Sequence, residues 1–447
     1  MVYACNVLLG ITQFLLIAYI LYSEVLNKSS ACFLWATLFI MFGIPHLLTA
    51  VTLNVDFETD TIFKVSVFVC LFCILYLITR KHNGNAFIEL HDSFHWELTS
   101  FDVRESVFER LCFVVFFVSM ILYLLNVIKN QGGILNTSWA TRDSGSENYV
   151  NLEGLLSRIV FMFSGFSLYF FLTKRKVKSV AVVLLFVFLV FVTRNRVQIL
   201  PVLLFPITLF LLRIKRIQLK HIVFAGLSAI AVIYIVYGIR AFRWLGTLSN
   251  AFKSFSFKYL NSKIMEFITS KNGELGLRQD FYFFVQENNM FEGFNRGYTY
   301  IRMLLVFLPS HWTLGIKPQS FDLYMGQAIG MVAGGSTHPT LFGDCFGNLN
   351  WAGIILGAFW AFFANAVDHL ISRQKDSFSK IMIYYMAGYS YVVMGRGSVY
   401  NGFQVLAWGA LFLSLLNLFF SKLKYVIISF QYRIDSIIQE INTEKSQ

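Results

Sequence analysis

Long apolar runs constrain this chain more than any other feature of its sequence. About eleven of them can be read as membrane-spanning helices, each of which needs roughly 20 apolar residues to cross the hydrocarbon core. They lie near residues 3–22, 31–53, 61–79, 107–128, 152–172, 179–193, 197–213, 220–239, 349–371, 380–395 and 402–420. The bilayer core holds no water to bind the backbone, so each span must make its own backbone hydrogen bonds, as an α-helix does. The sequence therefore predicts an all-α polytopic membrane protein.

Composition supports this fold class. The chain has 447 residues, of which 56% are hydrophobic and 14% charged, whereas soluble domains carry about 25% charged residues. The net charge of +12 does not indicate a nucleic-acid partner, because most cations lie in short clusters beside apolar spans. Of the 6 cysteines, all but Cys345 lie in or beside spans, which argues against a disulfide framework.

Basic clusters predict the orientation. Short loops rich in Lys and Arg face the cytoplasm, and the clusters at 80–81, 174–178, 213–220, 373–375 and 422–424 all fall on one side of the eleven spans. The N-terminus is then outside and the C-terminus inside. The predicted organisation is residues 1–239 as N-terminal spans, 240–348 as a large, partly helical outer loop, 349–421 as three C-terminal spans and 422–447 as an interfacial tail inside.

Arginines on the predicted outer face are the first candidate site. Positive charge outside runs against the usual topology, and charges at bilayer depth usually face the protein interior. Guanidinium groups grip phosphate oxygens as a bidentate fork, so a converging set predicts a diphosphate pocket. The alternative is snorkelling to lipid headgroups, and Arg396 fits either a pocket or a helix cap. The predicted pocket comprises Arg194, Arg196, Arg240, Arg243, Arg302 and Arg396, and the outer loop 240–348 also holds Arg278 and Arg296.

The glycine-rich stretch 334–353 holds the second candidate. His338 precedes Pro339, which restricts its backbone to extended conformations, and an imidazole is suited to taking a proton from a hydroxyl. Asp344 is predicted to orient that imidazole or to contact an acceptor. A surface loop whose glycines only permit tight turns is the competing interpretation.

A third stretch, 297–318, predicts a short helix at the membrane interface. Its aromatic side chains can stack on sugar faces or belong to the aromatic belt of a membrane protein, and the sequence leaves both interpretations open. The residues concerned are Tyr298, Tyr300 and Trp312.

These parts, in this order, resemble the Wzy-type O-antigen and oligosaccharide repeat-unit polymerases, relatives of the O-antigen ligases with a GT-C-like helical membrane fold. The similar features are the arginine pair of 193–196, the large loop before the last spans, the Pro309…Trp312…Lys317-Pro318 element and the closing element Ser336-Thr-His338-Pro339 with Gly343-Asp344. The chain departs from the family at Ser310, where many relatives have arginine, and at Asp344, where many have glutamate.

The resemblance implies a glycosyltransferase of the bacterial inner membrane. It would transfer a growing glycan from undecaprenyl diphosphate to the next lipid-linked repeat unit, in lipopolysaccharide biosynthesis, without a metal or other cofactor. His338 would act on the acceptor hydroxyl, and Arg196 and Arg243, with Arg302, would hold the leaving diphosphate. The implied partners are the lipid-linked oligosaccharide, membrane lipid and a polysaccharide chain-length regulator.

Two other functions remain open at the level of sequence. An O-antigen ligase uses the same donor but transfers the glycan to lipid A core, and the Pro309–Pro318 element favours the polymerase. A flippase or transporter for lipid-linked sugar should show symmetric halves and cations inside the bundle, and no such repeat is evident.

Overall fold

Every regular element that the structure describes is a helix. The structure, a computed structural model, describes residues 2–52, 57–81, 103–131, 176–193, 200–213, 234–235, 238, 245, 248–254, 256–269, 276–331, 337–374, 377–415 and 418–419. Within them, four stretches are long and apolar enough to cross a membrane: Tyr3–Leu26, Cys32–Thr52, Thr59–Thr79 and Thr340–Arg373. The coarse prediction of a helical membrane protein is confirmed; eleven spans and a GT-C-like arrangement stay predictions.

The helices are numbered in chain order. They are α1 (Val2–Leu26), α2 (Cys32–Leu38), α3 (Ile44–Thr52), α4 (Thr59–Thr79), α5 (Val103–Gln131), α6 (Lys176–Thr193), α7 (Leu200–Arg213), α8 (Leu248–Ser254), α9 (Phe257–Thr269), α10 (Leu277–Gln286), α11 (Tyr298–Leu304), α12 (Phe321–Ala328), α13 (Thr340–Leu349), α14 (Leu356–Arg373), α15 (Ser377–Arg396) and α16 (Val399–Leu415). A π-helical turn, Phe39–Gly43, joins α2 to α3, and 3₁₀ turns occupy Ser310–Thr313 and Asn350–Ile355.

The first four helices form an antiparallel group with two definable ends. At one end, here the Tyr3 end, the Tyr3 hydroxyl donates to the Val51 carbonyl (2.8 Å) and Asn6 Nδ2 donates to the Thr59 carbonyl (3.0 Å). At the other, the Arg80 end, the helices α1 and α4 finish side by side. The interior between the ends is filled largely by aromatic rings, such as Trp35 against Tyr76 at 4.7 Å, and aromatic pairs of this kind prefer tilted or edge-on geometry.

A buried ionic cluster joins three helices at the Arg80 end. The Arg80 guanidinium binds both carboxylate oxygens of Glu24 on α1 (2.8 and 2.9 Å) and one oxygen of Asp368 on α14. Ser29 Oγ accepts a further bond from Arg80 at 2.8 Å, and the Tyr76 hydroxyl donates to Glu24 at 2.8 Å. The cluster therefore fixes the C-terminal ends of α1, α4 and α14 at one level.

The stretch Thr340–Arg373 consists of two antiparallel pieces. Phe342 of α13 packs on Phe72 in the middle of α4 (5.2 Å between ring centroids), and Phe346 packs on Phe68 (5.5 Å), one turn nearer the Tyr3 end. The chain then reverses at Asn350, whose φ is 53°. A Cβ on Gly353 would lie 2.4 Å from the Cys345 carbonyl oxygen, so the descending piece, residues 350–373, lies directly on α13.

Helix α13 is thus a half-helix that begins in the middle of the bundle and ends toward the Tyr3 end. All residues from Thr340 to Asn348 are buried. Glycine permits the descending piece to approach α4, because a Cβ on Gly357 would lie 2.3 Å from the Phe72 carbonyl oxygen. The end of the predicted outer loop 240–348 is therefore a buried helix, in place of the surface loop that was its competing interpretation.

Candidate functional site

His338 lies just before the start of α13, at the level of the bundle's middle. Its neighbours Thr337, Pro339 and Thr340 are buried, whereas His338 itself is half-buried. Irregular backbone at bilayer depth is tolerated only inside protein or against a water-filled cavity. His338 is therefore the one partly exposed residue in the segment 337–340.

The turn between α15 and α16 carries Arg396 to the same place. Helix α15 ends at Arg396, and Gly397 follows with φ 109°, a conformation that side-chain-bearing residues rarely adopt. A Cβ on Gly397 would lie 2.8 Å from the Thr340 nitrogen and 2.9 Å from the His338 carbonyl carbon. The missing side chain lets the two backbones touch, so Arg396, half-buried, is anchored beside the His338 segment.

Two further cations lie over the buried ring of Tyr400, the second residue of α16. The Arg302 guanidinium is 4.5 Å and the Lys317 ammonium 5.7 Å from the ring centroid, which are cation–π distances. Arg302 Nη1 donates to the Pro318 carbonyl, and Lys317 Nζ donates to the Leu308 carbonyl at 2.7 Å. Arg302 Nε is buried without a hydrogen-bond partner among the described residues. A buried donor of this kind is costly unless it is given an acceptor.

Asp344, predicted to orient His338 or to contact an acceptor, is engaged within the fold. Its Oδ2 accepts from the Thr299 hydroxyl (3.1 Å) and its Oδ1 from Asn348 Nδ2 (3.2 Å). Asn348 in turn accepts the Thr299 backbone N–H at 2.9 Å. The Tyr300 hydroxyl lies 3.3 Å from Cys345 Sγ in the same interface. This network fastens α11 to α13, and Asp344 and Tyr300 thereby position Arg302, which follows on α11.

The other aromatic candidates, Tyr298 and Trp312, have contacts outside the network of Asp344 and Tyr300. The Tyr298 hydroxyl accepts from Arg296 Nη1 at 3.2 Å, and its ring is 5.5 Å from that of Tyr324 on α12. Trp312, on the 3₁₀ turn, is 70% exposed. The structure therefore groups Tyr298 with Arg296. It leaves Trp312 at the surface, a position that fits both a role in an aromatic belt and stacking on a sugar.

The outer arginines divide into four groups, one of which is Arg296 with its partner Tyr298. Arg302, which stacks on Tyr400 of α16, and Arg396, which ends α15, form one group about the α15–α16 turn. Arg278 donates from Nε to the Thr49 hydroxyl at 3.1 Å, near the Tyr3 end, and does not belong to that group. The remaining candidates, Arg194, Arg196, Arg240 and Arg243, lie outside the described residues, so their convergence stays a prediction.

Asp280 is a site residue that sequence reasoning missed. It lies on α10, and its Oδ2 accepts a hydrogen bond from the Thr337 hydroxyl, the residue before His338. Burial raises the pKa of Asp280 to about 6, although the Thr337 hydrogen bond acts in the opposite direction. The only sequence signal was the apolar face of α10, which had to pack on the bundle and would carry Asp280 inward with it.

Among the described residues, the candidate site comprises His338, Asp280, Arg302, Lys317 and Arg396. His338 and Thr337, the partner of Asp280, immediately precede α13, and Gly397, which follows Arg396, packs on the same segment. Arg302 and Lys317 lie over Tyr400, three residues after Gly397. No group of three or more His, Cys, Asp and Glu residues among those described is arranged to hold a metal ion. Comparison of the chain with protein-family models, with curated proteins and with solved structures finds no match.

Proposed function

We propose that this chain is a membrane glycosyltransferase that polymerises undecaprenyl-diphosphate-linked oligosaccharide repeat units into O-antigen-type polysaccharide. The observation that carries the proposal is the stacking of Arg302 and Lys317 on Tyr400, at the start of the helix whose preceding turn, with Arg396 and Gly397, packs on the His338 backbone. A leaving diphosphate needs preorganised positive charge where its own charge develops. An incoming alcohol needs a nearby group that holds it in line.

The buried Nε of Arg302 supports an anionic ligand in particular. A guanidinium with a satisfied Nη1 and a buried Nε that has no partner among the described residues presents a donor that a phosphate oxygen would satisfy. The rigid stacking on Tyr400 fixes the direction of that donor. Because the fork is already oriented, little side-chain entropy is lost on binding.

In the proposed reaction, a hydroxyl oxygen of the acceptor repeat unit attacks the anomeric carbon of the donor glycan. The new glycosidic C–O bond forms as the bond from that carbon to the diphosphate oxygen breaks, and the configuration inverts. The arginines and Lys317 bind the lipid diphosphate that leaves. His338 holds the acceptor hydroxyl in line or takes its proton. The predicted outer orientation would place this chemistry on the periplasmic side, with the N-terminus periplasmic and the C-terminus cytoplasmic.

A lipopolysaccharide ladder in cells deleted for the gene tests the function. Loss of a polymerase leaves core carrying a single repeat unit, whereas loss of a ligase leaves bare core, and loss of a flippase prevents any repeat unit from reaching the core. The expected result is the single-repeat band, restored to a ladder by the wild-type gene. Bare core would reject the polymerase in favour of the ligase, which shares the donor chemistry, or of a flippase.

Site variants test the residues. Arg302→Gln and His338→Ala should each lower polymer synthesis by about 10²–10³-fold, the loss typical of one transition-state contact. Arg373→Gln is the matched control, because Arg373 is exposed at the far end of α14 and should leave the ladder intact. A full ladder from both His338→Ala and Arg302→Gln would reject this site.

A further inference from the structure

The carboxylate of Asp280 is the titratable group of the site to which the resemblance assigns no role. It comes from α10, a different element from those carrying His338 and the cations. The Thr337 hydroxyl donates to its Oδ2, so the carboxylate is held one residue from His338. Its side chain is neither fully buried nor fully exposed, as is required of a group that must both keep a fixed orientation and exchange a proton.

The neighbouring ionisable groups have partners away from the His338 segment, whereas the partner of Asp280 belongs to it. On its own helix, Arg278 binds Thr49, and on the elements packed against α10 each charged group has its own partner. Asp322 on α12 binds Ser320, and Asp344 on α13 binds Thr299 and Asn348. His46 on α3 binds Tyr282 and Ser66, and Lys64 on α4 pairs with Asp60. Thr337 is also fixed from its backbone, whose N–H donates to the Asp322 carbonyl at 3.4 Å.

We infer that Asp280 is the catalytic base of the proposed transfer, and that His338 holds the acceptor hydroxyl in line. This inference rests on the proposed function. As the glycosidic C–O bond forms, the acceptor O–H proton passes to Oδ1 of Asp280, whose Oδ2 stays bound to Thr337. The bond between the anomeric carbon and the diphosphate oxygen breaks, and its electron pair leaves with the diphosphate, held by the cations. The carboxylic acid then returns its proton to solvent.

The protonation equilibrium of Asp280 suits this role. Burial raises its pKa to about 6, and a general base works best when its pKa lies near the working pH. Because only the ionised form accepts a proton, activity should rise with pH through about 6 and level off above it. The reference pKa of an imidazole is about 6.5. The wild-type pH profile alone therefore does not separate Asp280 from His338.

Paired variants separate the two groups. The assay uses purified protein in lipid nanodiscs, with lipid-linked repeat units extracted from cells deleted for the gene, and follows polymer formation from pH 4.5 to 8.5. Asp280→Asn keeps an oxygen that accepts from Thr337 but takes no proton, so kcat should fall by about 10²–10⁴-fold, the usual contribution of a general base. His338→Gln, which still forms hydrogen bonds, should be slower but keep the rise in activity near pH 6.

Asp322→Asn is the matched control, since it makes the same chemical change in a carboxylate that binds Ser320 while the backbone carbonyl that accepts from Thr337 is kept, and it should leave rate and profile unchanged. Asp280→Glu should regain part of the lost rate, and thermal unfolding of each variant shows whether it folds. Activity of Asp280→Asn within tenfold of wild type overturns the assignment. So does a rise near pH 6 that persists in Asp280→Asn and disappears in His338→Gln. If wild-type protein forms no polymer from these lipids, the proposed function itself has failed.

Discussion

Replacing Arg80 with methionine tests how far the buried ionic cluster holds the bundle together. The side chain of Arg80 is 2% exposed, that of Glu24 is fully buried and that of Asp368 is 15% exposed. Arg80→Met would leave two carboxylates without their shared cation. Removing one partner of a buried ion pair costs about 3–5 kcal/mol, because the charge that remains is buried and unpaired. We expect the free energy of unfolding to fall by that amount.

The assay is equilibrium unfolding by SDS in mixed micelles, followed by tryptophan fluorescence. Trp35 and Trp360 are both fully buried and report on the core that the cluster closes. Lys64→Met is the control: the pair of Lys64 with Asp60 spans 2.5 Å, but the two side chains are 49% and 61% exposed. Exposed pairs four residues apart on a helix contribute only about 0.3–0.5 kcal/mol to stability.

A compensated variant sharpens the reasoning. Adding Glu24→Gln and Asp368→Asn to Arg80→Met removes the unpaired charges, and buried ion pairs replaced as a whole are often neutral in stability. The triple variant should therefore recover at least half of the loss. If Arg80→Met unfolds within about 1 kcal/mol of wild type, or if the triple variant is less stable than the single one, the electrostatic account of this cluster is wrong.

Two further predictions concern the site and the orientation. Gly397→Ala should abolish most transfer activity, because a Cβ there would lie 2.8 Å from the amide nitrogen that begins α13; Gly330→Ala, with φ 75° and open space around its Cβ, carries backbone strain alone and should retain activity in the same polymer assay. In a Cys5→Ser background, a cysteine at Leu314, which is 92% exposed, should react with a membrane-impermeant maleimide added to intact cells, whereas one at Arg373 should be protected. Labelling in the reverse pattern would invert the predicted topology.

Some of the fold could be predicted because its determinants are local. The apolar runs predicted near 3–22, 31–53 and 61–79 correspond to the helical stretches Tyr3–Leu26, Cys32–Thr52 and Thr59–Thr79. The length of an apolar run sets whether it can cross a bilayer, independently of what packs beside it. The half-helix α13 could not be read in the same way, because its glycines suit a loop as well as a close-packed helix.

The candidate site stays a prediction. The selection of His338, Arg302 and Arg396 depended on residue chemistry, and the structure packs Gly397, next to Arg396, on His338 and places Arg302 over Tyr400. Asp344 was selected for a role beside His338, yet it binds Thr299 and Asn348. A sequence gives the donors and acceptors that a residue carries, but its partners depend on which helices become neighbours.

The amino-acid order alone determined the class of this protein, since hydrophobicity summed over a helix length decides between lipid and water. It also supplied the cations and the imidazole. Only the tertiary structure decided that Arg80 neutralises Asp368, 288 positions away, and that Asp280 reaches Thr337, 57 positions away. Such pairings follow from the packing of whole helices, and no periodicity or spacing along the chain encodes them.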